Sequence, residues 1–358
     1  MSHRAAVVSV AGCENGRPKP ANQDSFLTHA VHPCSAAILG VMDGHGRQGH
    51  VASARVRDAM LSALEPCARQ AFTANKQSPR AADQSCGSQG DQDPPEPPSP
   101  RATFGNLGTS TALSASMAAE LTPDSAQACL GATFSQAADA MRAAAAEFMH
   151  SGTTAVLCMV LPDSIVAAWA GDSRAVLGVA EPDGQGYKAQ DLTKDHKPNN
   201  LTEMARIVAA GGRVSRTAKD RDGNPIGPFR VYLPTGRSPG LSVARAFGDT
   251  LLSSVGVVPH PDFAVFRLPQ QPPSPPAPAA AAGASASEAS PLKPSHILIV
   301  ATDGLWEFVS SEEAVEIAAS AGSPEQAAQL LGEAARQAWQ AAWGGLHIDD
   351  VTIAVAFL

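Results

Sequence analysis

The chain has 358 residues, of which 44% are hydrophobic and 5% aromatic, so it can bury a large core built mainly on aliphatic side chains. Its formal net charge is −8 and its isoelectric point is near 5.7, which argues against the basic face of a general nucleic-acid binder. No run approaches the roughly 20 apolar residues of a membrane span. We therefore expect neither nucleic acid nor a membrane among its partners.

Strand-like and helix-like stretches occur along the whole chain. Short apolar runs predict strands over residues 7–10, 36–42, 154–161, 165–170, 175–179, 297–302 and 351–357. Longer stretches predict helices over residues 50–72, 126–149, 201–210, 312–319 and 325–343. Residues 161–164 predict a tight hairpin turn, Gly211 and Gly212 a helix C-terminus, and Ser311 an N-cap. Because several strands are apolar at successive positions, we expect sheets that are covered on both faces.

Two segments differ from the rest in composition. Residues 77–100 are rich in Pro, Gln, Ser, Asp and Gly, and residues 269–294 consist almost entirely of Pro, Ala, Ser and Gly. Neither has enough large apolar side chains to offset the entropy of ordering it, so both are predicted to be disordered insertions. The second could instead link two domains, but the sequence after it is short for a domain and begins with a strand-like run. We predict a single domain over residues 1–358.

The cysteines bear on the redox state and the location. They are Cys13, Cys34, Cys67, Cys86, Cys129 and Cys158. Their spacing is unpatterned and the chain is not small, so reduced thiols are expected over disulfides. The N-terminus lacks the apolar stretch of a secretory signal, and Ser2 stands where myristoylation needs glycine. We expect a monomer in the cytoplasm, the nucleus or both.

Carboxylates stand at the ends of four predicted strands. Strand-like runs lead into Asp43, Asp172 and Asp303, and Asp349 and Asp350 precede the last strand. A carboxylate at the mouth of a buried strand is costly to desolvate unless it is paired or binds a cation. Each aspartate alone could equally cap a turn or a helix. Together they favour an oxygen-ligand site for Mg²⁺ or Mn²⁺.

A series of short motifs carries a family resemblance. In chain order they are Lys-Pro-Ala-Asn-Gln-Asp at 19–24, Gly-Val-Met-Asp-Gly-His-Gly at 40–46, Ser-Gly-Thr-Thr-Ala at 151–155, Ala-Gly-Asp-Ser-Arg-Ala-Val at 170–176, Leu-Thr-Lys-Asp-His-Lys-Pro at 192–198, Pro-Gly-Leu-Ser-Val-Ala-Arg-Ala-Phe-Gly-Asp at 239–249, Ala-Thr-Asp-Gly-Leu-Trp-Glu at 301–307 and Asp-Asp-Val-Thr at 349–352. From Val7 to Phe357, apart from the two insertions, the chain resembles the metal-dependent type 2C serine/threonine protein phosphatases. The resemblance implies an α+β fold, a four-layer αββα sandwich of two central antiparallel sheets flanked by helices. It also implies hydrolysis of phosphoserine and phosphothreonine on phosphorylated protein substrates.

The resemblance implies a site for two divalent cations, Mg²⁺ or Mn²⁺. Asp43 would bridge the two, the Gly44 carbonyl would join one, and Asp303 and Asp349 would bind the other. Two close cations lower the pKa of a water and screen the phosphate charge, so that the water attacks phosphorus in line. No Cys or Ser nucleophile is needed, and none stands in a suitable motif.

Further positions follow from the same resemblance, and two of them depart from the usual pattern. Asp24 would lie beside the site, and Asp172 would serve a third, weaker cation. Residues 213–240 would form a variable flap that partly sets substrate choice. Gln23 stands where Glu is common, which removes a charge that would hold a cation. Lys19 stands where a phosphate-binding Arg is common and offers a point charge instead of a fork.

His45 is the candidate general acid, because the departing Ser or Thr oxygen needs a proton and His45 lies close to Asp43. The alternative is a structural histidine in a glycine-rich turn. A catalytically inactive binding module with the same fold is the main rival function, although retention of Asp43, Asp303 and Asp349 argues against it. A different phosphotransfer enzyme is a second rival, but no P-loop or kinase glycine loop occurs.

Overall fold

The computed structural model describes residues 4–31, 36–77, 121–183, 186–216, 218–236, 238–268 and 294–358. Except for their terminal residues Gln77 and Pro294, the two predicted insertions lie outside this part of the chain, and their disorder stays a prediction. Across these ranges, no helix has an apolar stretch long enough to cross a membrane.

The strands include all seven that the sequence predicts. In chain order they are β1 Arg4–Val10, β2 Cys13–Glu14, β3 Arg17–Pro18, β4 Ser25–Val31, β5 Ala36–Met42, β6 Gly44–His45, β7 Gly152–Thr153, β8 Ala155–Val160, β9 Ser164–Ala170, β10 Arg174–Ala180, β11 Tyr187–Asp191, β12 Arg213–Ser215, β13 Ala218–Lys219, β14 Pro225–Ile226, β15 Arg230–Tyr232, β16 Phe247–Gly248, β17 Asp262–Arg267, β18 His296–Ala301, β19 His347–Ile348 and β20 Val351–Phe357. The sequence missed the ten strands of two or three residues and, among the longer strands, β4, β11 and β17. Each of these three longer strands lies at the edge of a sheet and exposes part of its side chains, so it lacks a continuous apolar run.

Five of the helices were predicted and differ from the prediction only at their ends, whereas two helices of four residues were not predicted. They are α1 Gly49–Gln77, α2 Pro123–Ala143, α3 Leu201–Ala209, α4 Thr250–Ser253, α5 Asp303–Trp306, α6 Ser311–Ala319 and α7 Pro324–Trp343. The prediction that α2 continues to residue 149 was wrong. The amide of Ala145 donates to the carbonyl of Arg142, three residues earlier, and the chain passes into turns that end the helix.

Helix capping confirms one prediction and corrects another. The amides of Gly211 and Gly212 donate to the carbonyls of Val208 and Ile207, which closes α3 at the predicted glycine pair. The expectation that Ser311 caps α6 was wrong. Ser310 is the N-cap and forms a capping box with Glu313. Ser311 is the first helical residue.

Two five-stranded antiparallel sheets form the centre of the molecule. The first has the strand order β1-β20-β18-β10-β11, and the second has the order β17-β9-β8-β5-β4. The predicted hairpin joins β8 and β9, where the amide of Leu161 donates to the carbonyl of Ser164 at 2.8 Å. The layers are helices, sheet, sheet and helices, so the predicted four-layer αββα sandwich is confirmed.

The side chains of the central strands alternate between two apolar cores. On β18, Leu298 and Val300 face the other sheet, whereas Ile297 and Ile299 face α6 and α7. Helices α1 and α2 cover the outer face of the second sheet in the same way. Because both faces of each sheet are covered, the central strands are apolar at successive positions, as the sequence predicts.

The predicted flap at 213–240 contains two small antiparallel ribbons. Strand β12 pairs with β15, and β13 pairs with β14. The outer ribbon is exposed, but Val231 and Tyr232 of β15 are buried, and Val231 belongs to a small core with residues that follow the flap. The flap is therefore attached to the body through β15.

Candidate active site

Asp43 is held at the end of β5 by Thr154, which lies between β7 and β8. Its backbone amide donates to Thr154 Oγ1 at 3.1 Å, and its carbonyl accepts from the amide of Thr154 at 2.9 Å. The next residues form β6, which pairs with β7. A Cβ atom on Gly44 would lie 2.3 Å from the carbonyl oxygens of Gln23 and Gly49, so only glycine fits this turn.

Three of the predicted carboxylates come together at one end of the sandwich. One oxygen each of Asp43, Asp172 and Asp303 lies within 4.8 Å of the others. Asp43 and Asp172 follow strands β5 and β9 of the second sheet, and Asp303 follows β18 of the first sheet. The cluster therefore forms where the two central sheets meet at their ends.

The electrostatics of this cluster fit a bound cation. Burial raises the pKa of Asp43 well above its usual range, and the charge of Asp303 raises it further. Burial also raises the pKa of Asp303, with contributions from Asp172 and Asp349. Like charges held this close favour protonation or a bound cation. Carboxylate oxygens are the ligands that Mg²⁺ and Mn²⁺ prefer, so these residues fit a divalent metal.

Asp24 lies behind the cluster with one oxygen unused. Thr302 donates to its Oδ2 at 2.9 Å, whereas the buried Oδ1 has no hydrogen-bond partner among the described residues. Burial raises the pKa of Asp24 to about 8, although hydrogen bonds from Thr352 and Thr302 act against the increase. An unsatisfied buried carboxylate oxygen beside three further carboxylates also fits a cation or the water around it.

Lys19 forms salt bridges with two carboxylates. Its Nζ lies 2.6 Å from Asp349 Oδ1 and 3.3 Å from Asp350 Oδ2. Burial alone would lower the pKa of Lys19, but these two partners outweigh it and raise the pKa to about 12. Asp350 also accepts backbone N–H groups from Gly12 and Gln23. A contact between Lys19 and a substrate phosphate stays a prediction.

Lys197 is a second cation bound to the cluster. Its ammonium group donates a hydrogen bond to Asp172 Oδ2, and the Asp172 side chain is only 2% exposed. The sequence assigned no role to Lys197, although it stands in the motif at 192–198. One of the three clustered carboxylates is therefore neutralised by the protein itself.

His45 forms a pair with Asp249 that the sequence did not indicate. His45 Nε2 lies 2.6 Å from Asp249 Oδ2, and the Asp249 side chain is 6% exposed. Burial alone would lower the pKa of His45, but the charge of Asp249 and its hydrogen bond outweigh burial and raise it. A Cβ atom on Gly152 would lie 2.2 Å from Asp249 Oδ2 and 2.9 Å from His45 Nε2. The pair therefore needs a glycine at that position.

A cavity of about 330 Å³ opens over these groups. Its lining includes the three clustered carboxylates, Asp349, the His45–Asp249 pair, Gln23 and the flap residue Arg230. Lys19 and Lys197 do not line it. A larger depression of about 960 Å³ has Lys197 in its wall but none of the three clustered carboxylates. The smaller cavity is the candidate active site because it contains the three clustered carboxylates and the His45–Asp249 pair.

Comparisons with known proteins agree with this arrangement. The family model described as Protein phosphatase 2C matches residues 109–340. "Probable protein phosphatase 2C 48" of Oryza sativa subsp. japonica is 31% identical over 353 residues, covering 97% of this chain and 83% of the relative. "Probable protein phosphatase 2C 14" of the same plant is 30% identical over 348 residues, covering 95% and 58%. The solved structure of serine-threonine phosphatase 2C from Toxoplasma gondii has a TM-score of 0.68 at 22% identity, covering 99% of this chain and 94% of that one, and supports the fold.

Proposed function

Because this chain belongs to the protein phosphatase 2C family, and is thus a metal-dependent serine/threonine protein phosphatase, we propose that its reaction takes place at the carboxylate cluster. The observation that supports the proposal is the convergence of Asp43, Asp172 and Asp303 in a cavity that also contains His45. The substrates are phosphorylated proteins, whose phosphoserine or phosphothreonine side chain enters this cavity.

The metal ligands in this proposal are residues of the cavity. Asp43 and the Gly44 carbonyl would hold one cation, and Asp43, Asp303 and Asp349 would hold the other. We propose Mg²⁺ or Mn²⁺, two per site, with a third and weaker one at Asp172. Asp24 would hold water or ligand beside them. Bound divalent cations supply positive charge that makes a water more acidic and screens the phosphate.

His45 supplies the proton in this reaction. Because Asp249 raises the pKa of His45, the imidazolium form persists toward neutral pH. Its Nε2–H is directed to Asp249, so the Nδ1–H is the donor left for the substrate. As the water oxygen bonds to phosphorus, the bond from phosphorus to the Ser or Thr oxygen breaks. The Nδ1 proton passes to that oxygen, which leaves as a neutral hydroxyl.

Lys19 positions acidic groups in this scheme. Its ammonium ties Asp349 to Asp350, and Asp350 in turn holds the backbone of Gly12 and Gln23. The segment that contains Asp24 is thereby attached to the start of β20. This arrangement supports Asp349 being presented to a cation in a fixed orientation.

The direct test is the release of inorganic phosphate from a phosphothreonine peptide. The wild-type protein should release phosphate with Mn²⁺ or Mg²⁺, stop when EDTA removes the metal, and recover when the metal is restored. Asp43→Asn and Asp303→Asn should each abolish turnover, whereas Asp139→Asn, an exposed aspartate on α2, should not. Turnover near the wild-type rate in either cluster variant at saturating Mn²⁺ would contradict the two-metal assignment. A wild-type chain that binds Mn²⁺ but releases no phosphate would favour the inactive binding module.

We also propose a monomer that acts in the cytoplasm, the nucleus or both. Cys13, Cys67 and Cys158 are free thiols, which is compatible with a reducing compartment. Light scattering of the purified full chain and imaging of a fluorescent fusion would test the two statements separately.

A further inference from the structure

The side chains that line the active-site cavity carry more negative than positive charge. Asp43, Asp172, Asp303, Asp349 and Asp249 all line it, so most of the charge of two divalent cations would be offset by these carboxylates. A phosphate monoester at neutral pH carries close to two negative charges of its own. Orienting its oxygens therefore calls for a protein cation that faces the cavity and is not already used.

The two lysines next to the carboxylates are already used. Lys19 is bonded to Asp349 and Asp350, and Lys197 is bonded to Asp172. Neither side chain lines the cavity. Withdrawing either ammonium toward a phosphate would leave a buried or half-buried carboxylate without its partner, which is costly.

Arg230 differs from both lysines. It lines the cavity from the flap side, and within the part of the chain that the structure describes its guanidinium makes one hydrogen bond, from Nη1 to the Gly240 carbonyl at 2.8 Å. Among the described residues, no carboxylate lies within 4.0 Å of its nitrogens. A guanidinium has five N–H donors, so most of them remain for a ligand.

The backbone on either side fixes the position of Arg230. The adjacent Val231 is fully buried, and it exchanges two hydrogen bonds with Leu241, at 2.8 and 3.1 Å. A Cβ atom on Gly240 would lie 2.5 Å from the Tyr232 ring, so these two segments are packed as closely as glycine allows. Arg230 therefore emerges from an ordered base, and little freedom of the chain is lost when it binds a ligand.

We infer that Arg230 binds the phosphoryl group of the substrate, which is a dianionic phosphate monoester. The inference rests on the proposed function and names a phosphate contact in addition to the cations. The planar guanidinium can offer two parallel N–H donors to two oxygens of one phosphoryl group, which a lysine cannot do. Arg230 thus supplies a directional phosphate contact from the flap, whereas the sequence assigned the phosphate to the point charge of Lys19.

The test compares two arginines of the same ribbon. Arg230→Gln should lower kcat/KM by about 10- to 100-fold, the scale of a lost hydrogen bond to a charged group. The loss should be similar for a phosphothreonine peptide and for para-nitrophenyl phosphate, because the two share only the phosphoryl group. Inorganic phosphate should inhibit the variant more weakly by a similar factor. Arg230→Lys should lie between the variant and the wild type.

Arg213→Gln is the matched control. Arg213 lies on β12, is also half-buried and packs over the Tyr232 ring at 5.1 Å, but it does not line the cavity. Arg213→Gln should leave kcat/KM on both substrates, and the inhibition by inorganic phosphate, unchanged. Melting temperature and Mn²⁺ affinity, measured for every variant, should match the wild type and so exclude misfolding or metal loss.

Three results would overturn the inference. A loss on the peptide alone would mean that Arg230 contacts the peptide and not the phosphoryl group. Unchanged inhibition by phosphate would mean that the phosphoryl group does not touch it. Weaker phosphate inhibition in Lys19→Met but not in Arg230→Gln would return the contact to Lys19. Calorimetric titration of inorganic phosphate into the Mn²⁺-loaded protein decides the matter even if turnover, and with it the proposed function, fails.

Discussion

At the scale of single residues, the pair of His45 and Asp249 makes the mechanism testable. A serine alkoxide is strongly basic and leaves poorly without a proton, whereas a nitrophenolate leaves readily. His45→Ala should therefore lose roughly 10²–10⁴-fold on a phosphoserine peptide and much less on para-nitrophenyl phosphate. Asp249→Asn should show the same selective loss, because it removes the charge that raises the pKa of His45.

Steady-state kinetics on the two substrates at saturating Mn²⁺ measure this effect. Asp163→Asn, at a half-exposed aspartate that pairs with Arg267, is a suitable control. If His45 only shapes the turn that holds Asp43, both substrates should lose activity equally and added Mn²⁺ should restore both. Equal losses would count against the acid role.

Lys197 leads to a second prediction for single residues, on metal affinity. Its ammonium competes with any cation for Asp172, so Lys197→Met should tighten Mn²⁺ binding. A nearby opposite charge shifts carboxylate equilibria by 1–3 pKa units, so we expect a gain of about tenfold or more in affinity for the weakest Mn²⁺ site. Calorimetric titration of Mn²⁺ into metal-free protein measures it. Lys194→Met, at an exposed neighbour, should change nothing. Equal or weaker binding by Lys197→Met would show that the two cations do not compete.

The sequence predicted part of this site and missed part of it. Asp43, Asp172 and Asp303 could be found because each stands within two residues of the end of an apolar strand, and strand ends of stacked sheets meet. Asp249 could not be found in this way, because it lies 204 positions from His45 and follows only a two-residue strand. Its one sequence signal was its place at the end of the motif at 239–249. No sequence signal marked Arg230, because its role depends on Lys19 and Lys197 being already paired with carboxylates.

At the scale of elements, Glu203 ties α3 to the motif that leads into the active site. Arg245 binds it with two nitrogens, at 2.7 and 3.0 Å, and Arg206 adds a contact at 2.7 Å. Burial alone would raise the pKa of Glu203, but the hydrogen bonds from Arg245 and Arg206 outweigh it and lower the pKa. The Glu203 carboxyl group thus binds a proton less tightly in the folded chain than in the unfolded chain. The resulting stability is present above about pH 4.5, the ordinary pKa of glutamate, and is lost as the pH falls through the folded pKa.

Glu203→Gln tests this linkage. At pH 7 the variant should lower the free energy of unfolding by on the order of 3 kcal/mol, because it leaves two arginines without their buried partner. The difference from the wild type should shrink as the pH falls below 4.5. Urea unfolding at several pH values measures it, with Glu316→Gln, at an exposed residue of α6, as the control. A difference that stays constant from pH 7 to the acid limit would contradict the assigned pKa.

At the scale of the whole molecule, the sequence predicted the interior better than the edges. Strands such as β8 and β18 are covered on both faces, so their composition alone identifies them. The edge strands β4, β11 and β17 carry exposed positions, and β17 also pairs with β9, which is distant in sequence. The two sheets and four layers came from the family resemblance, because periodicity does not reveal which strands are adjacent.

The segment at 269–294 raises a question about the whole molecule, namely whether the sandwich needs it. The described residues on either side are attached to the body independently. The amide of Leu268 donates to the carbonyl of Asp163 at 2.8 Å, and the amide of Ser295 donates to the carbonyl of Leu358 at 3.1 Å. Strands β17 and β18 also pair with different partners, in different sheets.

We therefore expect that deletion of residues 271–290 leaves kcat/KM and the melting temperature nearly unchanged. The few residues left would span up to roughly 17 Å, more than the roughly 10 Å between stacked sheets. Loop closure depends weakly on length, by about 0.6 kcal/mol per doubling, so the shorter connection should if anything stabilise the fold slightly. Calorimetry and peptide kinetics measure both quantities. A Gly/Ser replacement of the original length separates composition from length. If the replacement also lowers the melting temperature by many degrees, the native segment packs on the body and the prediction from its composition is wrong.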